Sequence, residues 1–392
     1  MTDFEIGDWP NRILFGVDSV GQLQLEATRL KVARVLIICG ASVARGEMLT
    51  RVRSGLGAAC VGLFADVQAQ NPLPCIQKGA ELALSLRADA LLSVGGGSAI
   101  DAAKCIAMFL ASDGNLEPYQ LQHAGTVPAM NLSSAEVLPH LAVPTTAGSA
   151  SEVMPTAGCR DPKARRKLLF WDTALVPKVV ILDPKMAVFS PPSLTAHSGM
   201  TAVARCIESL YSAHRQPISS ALALRAVRML VRSLERCIAE PMNLEARADC
   251  QIASLMSGIA AINAMVSMVH AICHTLGGRF GMQHGAGHAM LLAPAMRVLL
   301  PSLGSDQLEL LAAIGGETRN DAPVDSAGLS AAQIIADLAA ALPLPRRLRD
   351  CGINQHQDLE DISIAAMSDY MMASAPRPIS RAEIVSLLSS VW

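Results

Sequence analysis

The chain has no excess of charge of either sign: 32 Lys and Arg stand against 34 Asp and Glu over 392 residues, a formal net charge of −2. A balance that close leaves no basic footprint for nucleic acid or an anionic membrane surface, and neither is expected as a partner. The ten cysteines, at positions 39, 60, 75, 105, 159, 206, 237, 250, 273 and 351, include no Cys-x-x-Cys pair. Most have apolar neighbours, which predicts reduced, mostly buried thiols rather than a disulfide framework. The opening Met-Thr-Asp-Phe-Glu-Ile-Gly-Asp carries acids where an export signal carries a basic segment followed by an apolar one. A cytoplasmic location is the expectation. Charged residues make up only 17% and hydrophobic ones 51%, a composition that excludes disorder and fits a well-buried enzyme-like chain. The stretch from Gln251 to Val269 lacks any charge and is long enough to raise a membrane helix. It contains Gln251, Ser254, Ser257, Asn263 and Ser267, however, which predicts a central buried helix of a large domain instead.

At 392 residues the chain exceeds one ordinary core, so two domains are expected. The first half alternates short β-branched runs with helical patterns, the runs being Arg34 to Cys39, Cys60 to Ala65, Ala90 to Val94, Leu141 to Val143 and Val179 to Leu182. Strands alternating with helices predict a mostly parallel sheet. After Asp183-Pro184 the alternation gives way to long segments of helical periodicity, broken at Pro191-Pro192, Pro217 and Pro343. The reading is an α/β dinucleotide-binding domain over residues 1–185 and an all-helical catalytic domain over 186–392, with the ligand in the cleft between them.

Val94-Gly95-Gly96-Gly97-Ser98-Ala-Ile-Asp101-Ala-Ala-Lys104 follows a buried strand and opens a helix. Three glycines let backbone amides come close to a ligand, and the unpaired N–H groups of a helix start favour a diphosphate. The run is neither a G-x-G-x-x-G fingerprint nor a Walker A loop, and on its own it could be a tight turn. A second loop, Pro144-Thr145-Thr146-Ala147-Gly148-Ser149-Ala150-Ser151-Glu152-Val153, offers hydroxyls and small residues after another strand; alone it could be a helix cap.

Together the two loops resemble the signature loops of the iron-containing alcohol dehydrogenases. The resemblance runs from Arg12-Ile-Leu-Phe-Gly16 through Asn71-Pro72, Lys167-Leu-Leu, Asp183-Pro184 and Leu194-Thr195 to Pro376-Arg377-Pro378. It implies that family's architecture, shared with dehydroquinate synthase: an α/β nucleotide domain followed by a helical one. It also implies a nicotinamide cofactor bound by Gly96, Gly97, Ser98, Asp101, Thr145, Thr146 and Ser149, with Lys167 lining the cleft. NAD-preferring members often carry an Asp at the end of the second strand, to bond the ribose and repel a 2′-phosphate. Gly40 stands at that position here, so the barrier against NADPH is absent. That favours NADPH over NADH without supplying a basic grip on the phosphate.

In the family a divalent metal is held by an Asp and a His four apart on one helix plus two later histidines. The corresponding stretch here is Gly199-Met200-Thr201-Ala202-Val203-Ala204-Arg205-Cys206-Ile207-Glu208, so Thr201 replaces the Asp and Arg205 the His. By resemblance His270 and His284 match the two later ligands, and His274 matches a proton-relay histidine; His288 follows four residues after His284. Two imidazoles beside a guanidinium make a poor site, because Arg is cationic and offers no lone pair. Tight binding of iron or zinc is therefore doubtful, though His197, one turn before Thr201, could substitute as a ligand. His270 to Gly278, His288 and Cys206-Ile-Glu208-Ser-Leu-Tyr211 also resemble the metal-independent maleylacetate reductases, whereas Asp101 and Thr145-Thr146-Ala147-Gly148 are alcohol-dehydrogenase-like.

These readings converge on an NAD(P)H-dependent oxidoreductase acting on a carbonyl, alcohol or unsaturated keto-acid substrate. Arg205 would polarise the carbonyl or grip a substrate carboxylate, and His274 would supply or relay the proton. Three alternatives stay open: a metal-dependent dehydrogenase with a rebuilt ligand set, an inactive nucleotide-binding homologue, and a salt-bridged structural role for Arg205 with the histidines as satisfied core groups. A homodimer is the family-level expectation.

Overall fold

The computed structural model describes residues 12–120, 137–162, 166–317 and 323–392, with the side chains of residues 166 and 167 left aside. Six strands form a parallel sheet: β1 (Arg12–Phe15), β2 (Val35–Cys39), β3 (Cys60–Phe64), β4 (Ala90–Gly95), β5 (His140–Pro144) and, later in the chain, β8 (Val179–Leu182). Their spatial order is β1-β8-β5-β4-β2-β3. Every residue of β2, β4, β5 and β8 is buried. A parallel sheet covered on both faces needs continuous apolar runs rather than alternation, and those are the runs the sequence displays. The edge strand β1 buries only Leu14, so it carries no such run and periodicity does not reveal it. An antiparallel hairpin, β6 (Thr156–Asp161) with β7 (Arg166–Trp171), stands outside the main sheet and was likewise not among the expected strands.

Alternate side chains of one strand serve opposite faces. Val35, Ile37 and Cys39 pack with the helices Leu23–Arg29 and Glu47–Leu56, while Leu36 and Ile38 pack with Leu73–Ser85 and with α1 (Gly97–Ala111). The connection after β2 therefore leaves on one face and the connection after β4 on the other. Between these two strands lies the point where the winding reverses, and ligands of open α/β sheets bind there, beyond the carboxyl ends of the strands. The register pairs Cys39 with Val94 and Gly95 with Pro144. Gly40, the glycine run and Thr145 thus leave the sheet side by side.

Beyond Leu182 all regular structure among the described residues is helical. The helices that matter for the site are α2 (Pro192–Tyr211), α3 (Pro217–Ala239), α4 (Leu244–Ala264), α5 (Met268–Phe280) and α6 (His284–Leu299). The uncharged stretch 251–269, expected as one buried helix, is instead the end of α4 and the start of α5, which meet at a 106° bend. Met265 takes a left-handed φ of 60° there. The break is built by a carboxylate: Glu208 on α2 accepts the backbone N–H groups of Ser267 (3.2 Å) and Val269 (2.9 Å) and so caps the new helix. Gln251 fastens the helical part to the sheet by donating from Nε2 to the carbonyls of Pro144 (3.1 Å) and Asp183 (3.3 Å).

Candidate active site

A cleft of about 500 Å³ opens at the carboxyl ends of β2, β4 and β5 and runs to the helical part. Gly40, Gly96, Gly97, Ser98, Thr145, Thr146 and Ser149 line it at the sheet end, and His197, Thr201 and His284 line it at the other. Gly95 turns at a φ of 142°, and a Cβ on Gly96 would sit 2.8 Å from Thr146 Cγ2. The start of α1 has no side-chain cap, which leaves its N–H groups to a ligand. Thr146 Oγ1 and Ser149 Oγ are buried without a hydrogen-bond partner among the described residues. Unfilled amides and two orphaned hydroxyls at a helix start suit the diphosphate and amide groups of a dinucleotide. Asp101, expected at the cofactor, is not among the lining residues; one turn into α1, it accepts a hydrogen bond from Ser151 Oγ. Lys167 lies on β7 opposite Arg160, and its side chain is outside the described residues.

Arg205 departs from expectation most. It is 4% exposed and is not among the lining residues. Its Nη1 donates to the carbonyl of Ser149 (2.8 Å), its Nη2 to the carbonyl of Gly148 and its Nε to Ser257 Oγ on α4 (3.2 Å). A guanidinium with three directions committed to protein acceptors does not reach for a substrate carboxylate, so the expected direct contact is corrected. Burial brings its pKa down to about 10, which still leaves it cationic at neutral pH.

Four histidines gather beneath the far end of the cleft. His270 and His288 meet tilted at 47° with centroids 4.3 Å apart, His274 meets His284 edge-on at 5.7 Å, and His284 lies 6.3 Å from His288. His270 Nδ1 is hydrogen-bonded to Glu208, which also accepts from Tyr211 Oη at 3.0 Å. Burial pushes the Glu208 carboxyl up to about 7. Burial and then the nearby Arg205 hold His270 well below the ordinary histidine range, so it is a neutral imidazole. His274 Nδ1 pairs with Asp369 Oδ2 at 2.8 Å. Asp369, 95 residues away, escaped the sequence reading, and nothing local to it signals the role.

The comparisons with known proteins are decisive at this point. The family described as iron-containing alcohol dehydrogenase matches residues 10–184, and its C-terminal counterpart matches residues 195–392. The chain belongs to the iron-containing alcohol dehydrogenase family. It is similar to the 1,3-propanediol dehydrogenase of Citrobacter freundii, 32% identical over 85% of this chain and 83% of that one. It is also similar to the maleylacetate reductase of Sphingobium indicum, 29% identical over 97% of this chain and 95% of that one. Among solved structures, a 1,3-propanediol oxidoreductase superposes with a TM-score of 0.91 at 26% identity, covering both chains completely. This member of the family is a nicotinamide-dependent oxidoreductase.

The family name implies a metal, and the donors present do not fit one. Thr201 Oγ1 donates to the carbonyl of His197 (3.0 Å) and lies 3.2 Å from His288 Nδ1, while Arg205 turns to the loop. Two imidazoles, His270 and His284, remain of the expected set. Among the described residues no group of three or more His, Cys, Asp or Glu side chains is placed to hold an ion. Divalent sites ordinarily need three or more protein ligands with some anionic character.

Proposed function

We propose that this enzyme reduces a small, uncharged carbonyl compound with NAD(P)H, without a catalytic metal, and with His274 as the proton donor. The observation that carries the reading is the fate of the two altered ligand positions: Thr201 is bonded within the helical part and Arg205 is bonded to the loop. The bound nicotinamide supplies the hydride. Asp369 holds His274 through Nδ1, which leaves Nε2 to carry the transferable proton. His284 lines the cleft with the His274 ring edge against it, so the proton leaves His274 at the end of the cleft where the alkoxide forms. Among the described lining residues none is Lys, Arg, Asp or Glu. That supports an uncharged substrate over the carboxylated one that a substrate-facing Arg205 implied. It also supports acceptance of either cofactor, since Gly40 neither repels a 2′-phosphate nor binds it.

The test is elemental analysis of the purified enzyme, paired with NADPH and NADH oxidation on simple aldehydes and on keto acids, before and after EDTA. Metal well below one per chain, activity that survives EDTA, and preference for the aldehydes are the expected results. One tightly bound iron or zinc per chain, with activity lost on chelation, overturns the metal-free reading and restores a dehydrogenase with a rebuilt ligand set.

A further inference from the structure

The segment from Gly148 to Thr156 has five of its carbonyl oxygens taken by two buried cations. Lys104, on α1, donates from Nζ to Ser151 (2.6 Å), Met154 (2.5 Å) and Thr156 (2.9 Å), and Arg205, on α2, takes Gly148 and Ser149. A carbonyl turned toward a cation inside the protein cannot turn its negative end toward the cleft, where it would meet a diphosphate. Beside the cleft this leaves the buried hydroxyls of Thr146 and Ser149, both without hydrogen-bond partners among the described residues. The segment is also held in a conformation it would not adopt alone. Ala150 sits at a φ of 54°, a left-handed geometry that non-glycine residues keep only where the surroundings over-determine it. Gly148 passes so near α2 that a Cβ there would lie 1.9 Å from the carbonyl oxygen of Ser198, and Ala147 N donates to Ser198 Oγ at 3.2 Å.

We infer that Arg205 is a positioning residue for the cofactor: from the helical part it fixes the Gly148–Ser149 turn so that the hydroxyls of Thr146 and Ser149 face the nucleotide. At a position where the family resemblance places a metal ligand, this chain carries the anchor of its own cofactor loop. Ser257 Oγ accepts from the Arg205 Nε at 3.2 Å and in turn donates to the carbonyl of Ser254 at 2.7 Å, so the guanidinium plane is set by α4 as well as by α2. The cofactor site is in this way tied to two helices of the catalytic part. The inference rests on the nicotinamide cleft and not on the metal-free reaction or the uncharged substrate proposed above, so either can fail without the other.

The test is equilibrium binding of NADPH and NADH by titration calorimetry to Arg205→Gln, Arg205→Lys and Ser257→Ala, alongside the KM for the carbonyl substrate at saturating cofactor. Arg205→Gln is expected to weaken both cofactors by about tenfold or more, with the carbonyl KM within about twofold of the parent. Arg205→Lys should recover part of the loss, because an ammonium can still reach one of the two carbonyls but cannot span both. Ser257→Ala keeps both carbonyl bonds and loses only the Nε anchor, so its loss should be about threefold. Cofactor affinity unchanged in Arg205→Gln, or a raised carbonyl KM with cofactor affinity intact, overturns the assignment. If Arg205→Gln fails to fold, the other two variants decide, and both binding cofactor as tightly as the parent overturns it.

Discussion

The two ends of the cleft are built in different ways. At the nucleotide end the chain works with backbone: a glycine turn, a bare helix start and a loop whose carbonyls are held away. Each part lies within a few residues of the strand that delivers it. At the reacting end the chain works with side chains drawn from separate helices, Glu208 and Thr201 from α2, His270 and His274 from α5, His284 and His288 from α6, with Asp369 from still later. The first kind of site tolerates change in most side chains but not in shape. The second kind depends on the residue type at each position, and its parts are brought together only by the packing of the helices.

The sharpest way to separate the two ends is to remove His274, the proton donor proposed above. His274→Ala should lower kcat by roughly 10²- to 10⁴-fold while leaving cofactor affinity unchanged, since the imidazole acts only as protons move. Asp369→Asn should give a smaller loss of the same kind, because an amide can still accept from Nδ1 yet no longer balances the imidazolium charge. Single-turnover measurement of cofactor oxidation reads this directly. A loss of cofactor binding in His274→Ala would show that the two ends are not separable.

How much of this was legible in the sequence follows the same division. The parallel sheet, the glycine turn and the second loop could be read because strand burial and turn chemistry leave local patterns. Edge strand β1 could not, since half-exposed edges need no apolar run, and the 106° bend within the uncharged stretch could not, since it depends on a carboxylate at Glu208 some sixty residues earlier. That Thr201 and Arg205 stand at positions the resemblance gives to ligands was visible, but the direction of Arg205 was not. A long side chain at a buried helix position goes to whichever acceptors the fold brings near, and here those lie 52 to 57 residues away in the chain. The structural alternative weighed at the outset gave Arg205 a salt bridge, whereas its hydrogen bonds go to two loop carbonyls and a serine hydroxyl.

At the nucleotide end a change of shape should matter more than a change of charge. Gly97 lines the cleft, and a Cβ there meets Ser149 Cβ at 3.2 Å, a tight contact that a backbone shift of a few tenths of an ångström at the start of α1 relieves. Gly97→Val should therefore fold, yet its methyl groups enter the diphosphate path, and cofactor affinity should fall by about tenfold, or 1.4 kcal/mol, with the carbonyl KM at saturating cofactor little changed. Unchanged affinity would mean that the turn serves the fold and not the ligand.

The smallest expected effect tests whether the nucleotide end discriminates by charge at all. Gly40 lines the cleft beside the glycine run, by the pairing of Cys39 with Val94. Its φ of −86° and ψ of 165° suit any residue, and a Cβ there would have Val67 O as its nearest neighbour at 3.7 Å. An aspartate is therefore accommodated without strain, and at the head of the helix Ala41–Ala44 it can also cap free N–H groups. Gly40→Asp should leave stability intact or slightly raised, so a change in cofactor use cannot be blamed on misfolding. The new carboxylate repels a 2′-phosphate and can accept from a ribose hydroxyl, which should move the ratio of kcat/KM for NADH over NADPH upward by roughly three- to tenfold. The effect should shrink as salt rises, because a cleft open to water screens the repulsion. A ratio that does not move at low salt places Gly40 away from the ribose, and the choice between the two cofactors must then be made elsewhere along the cleft.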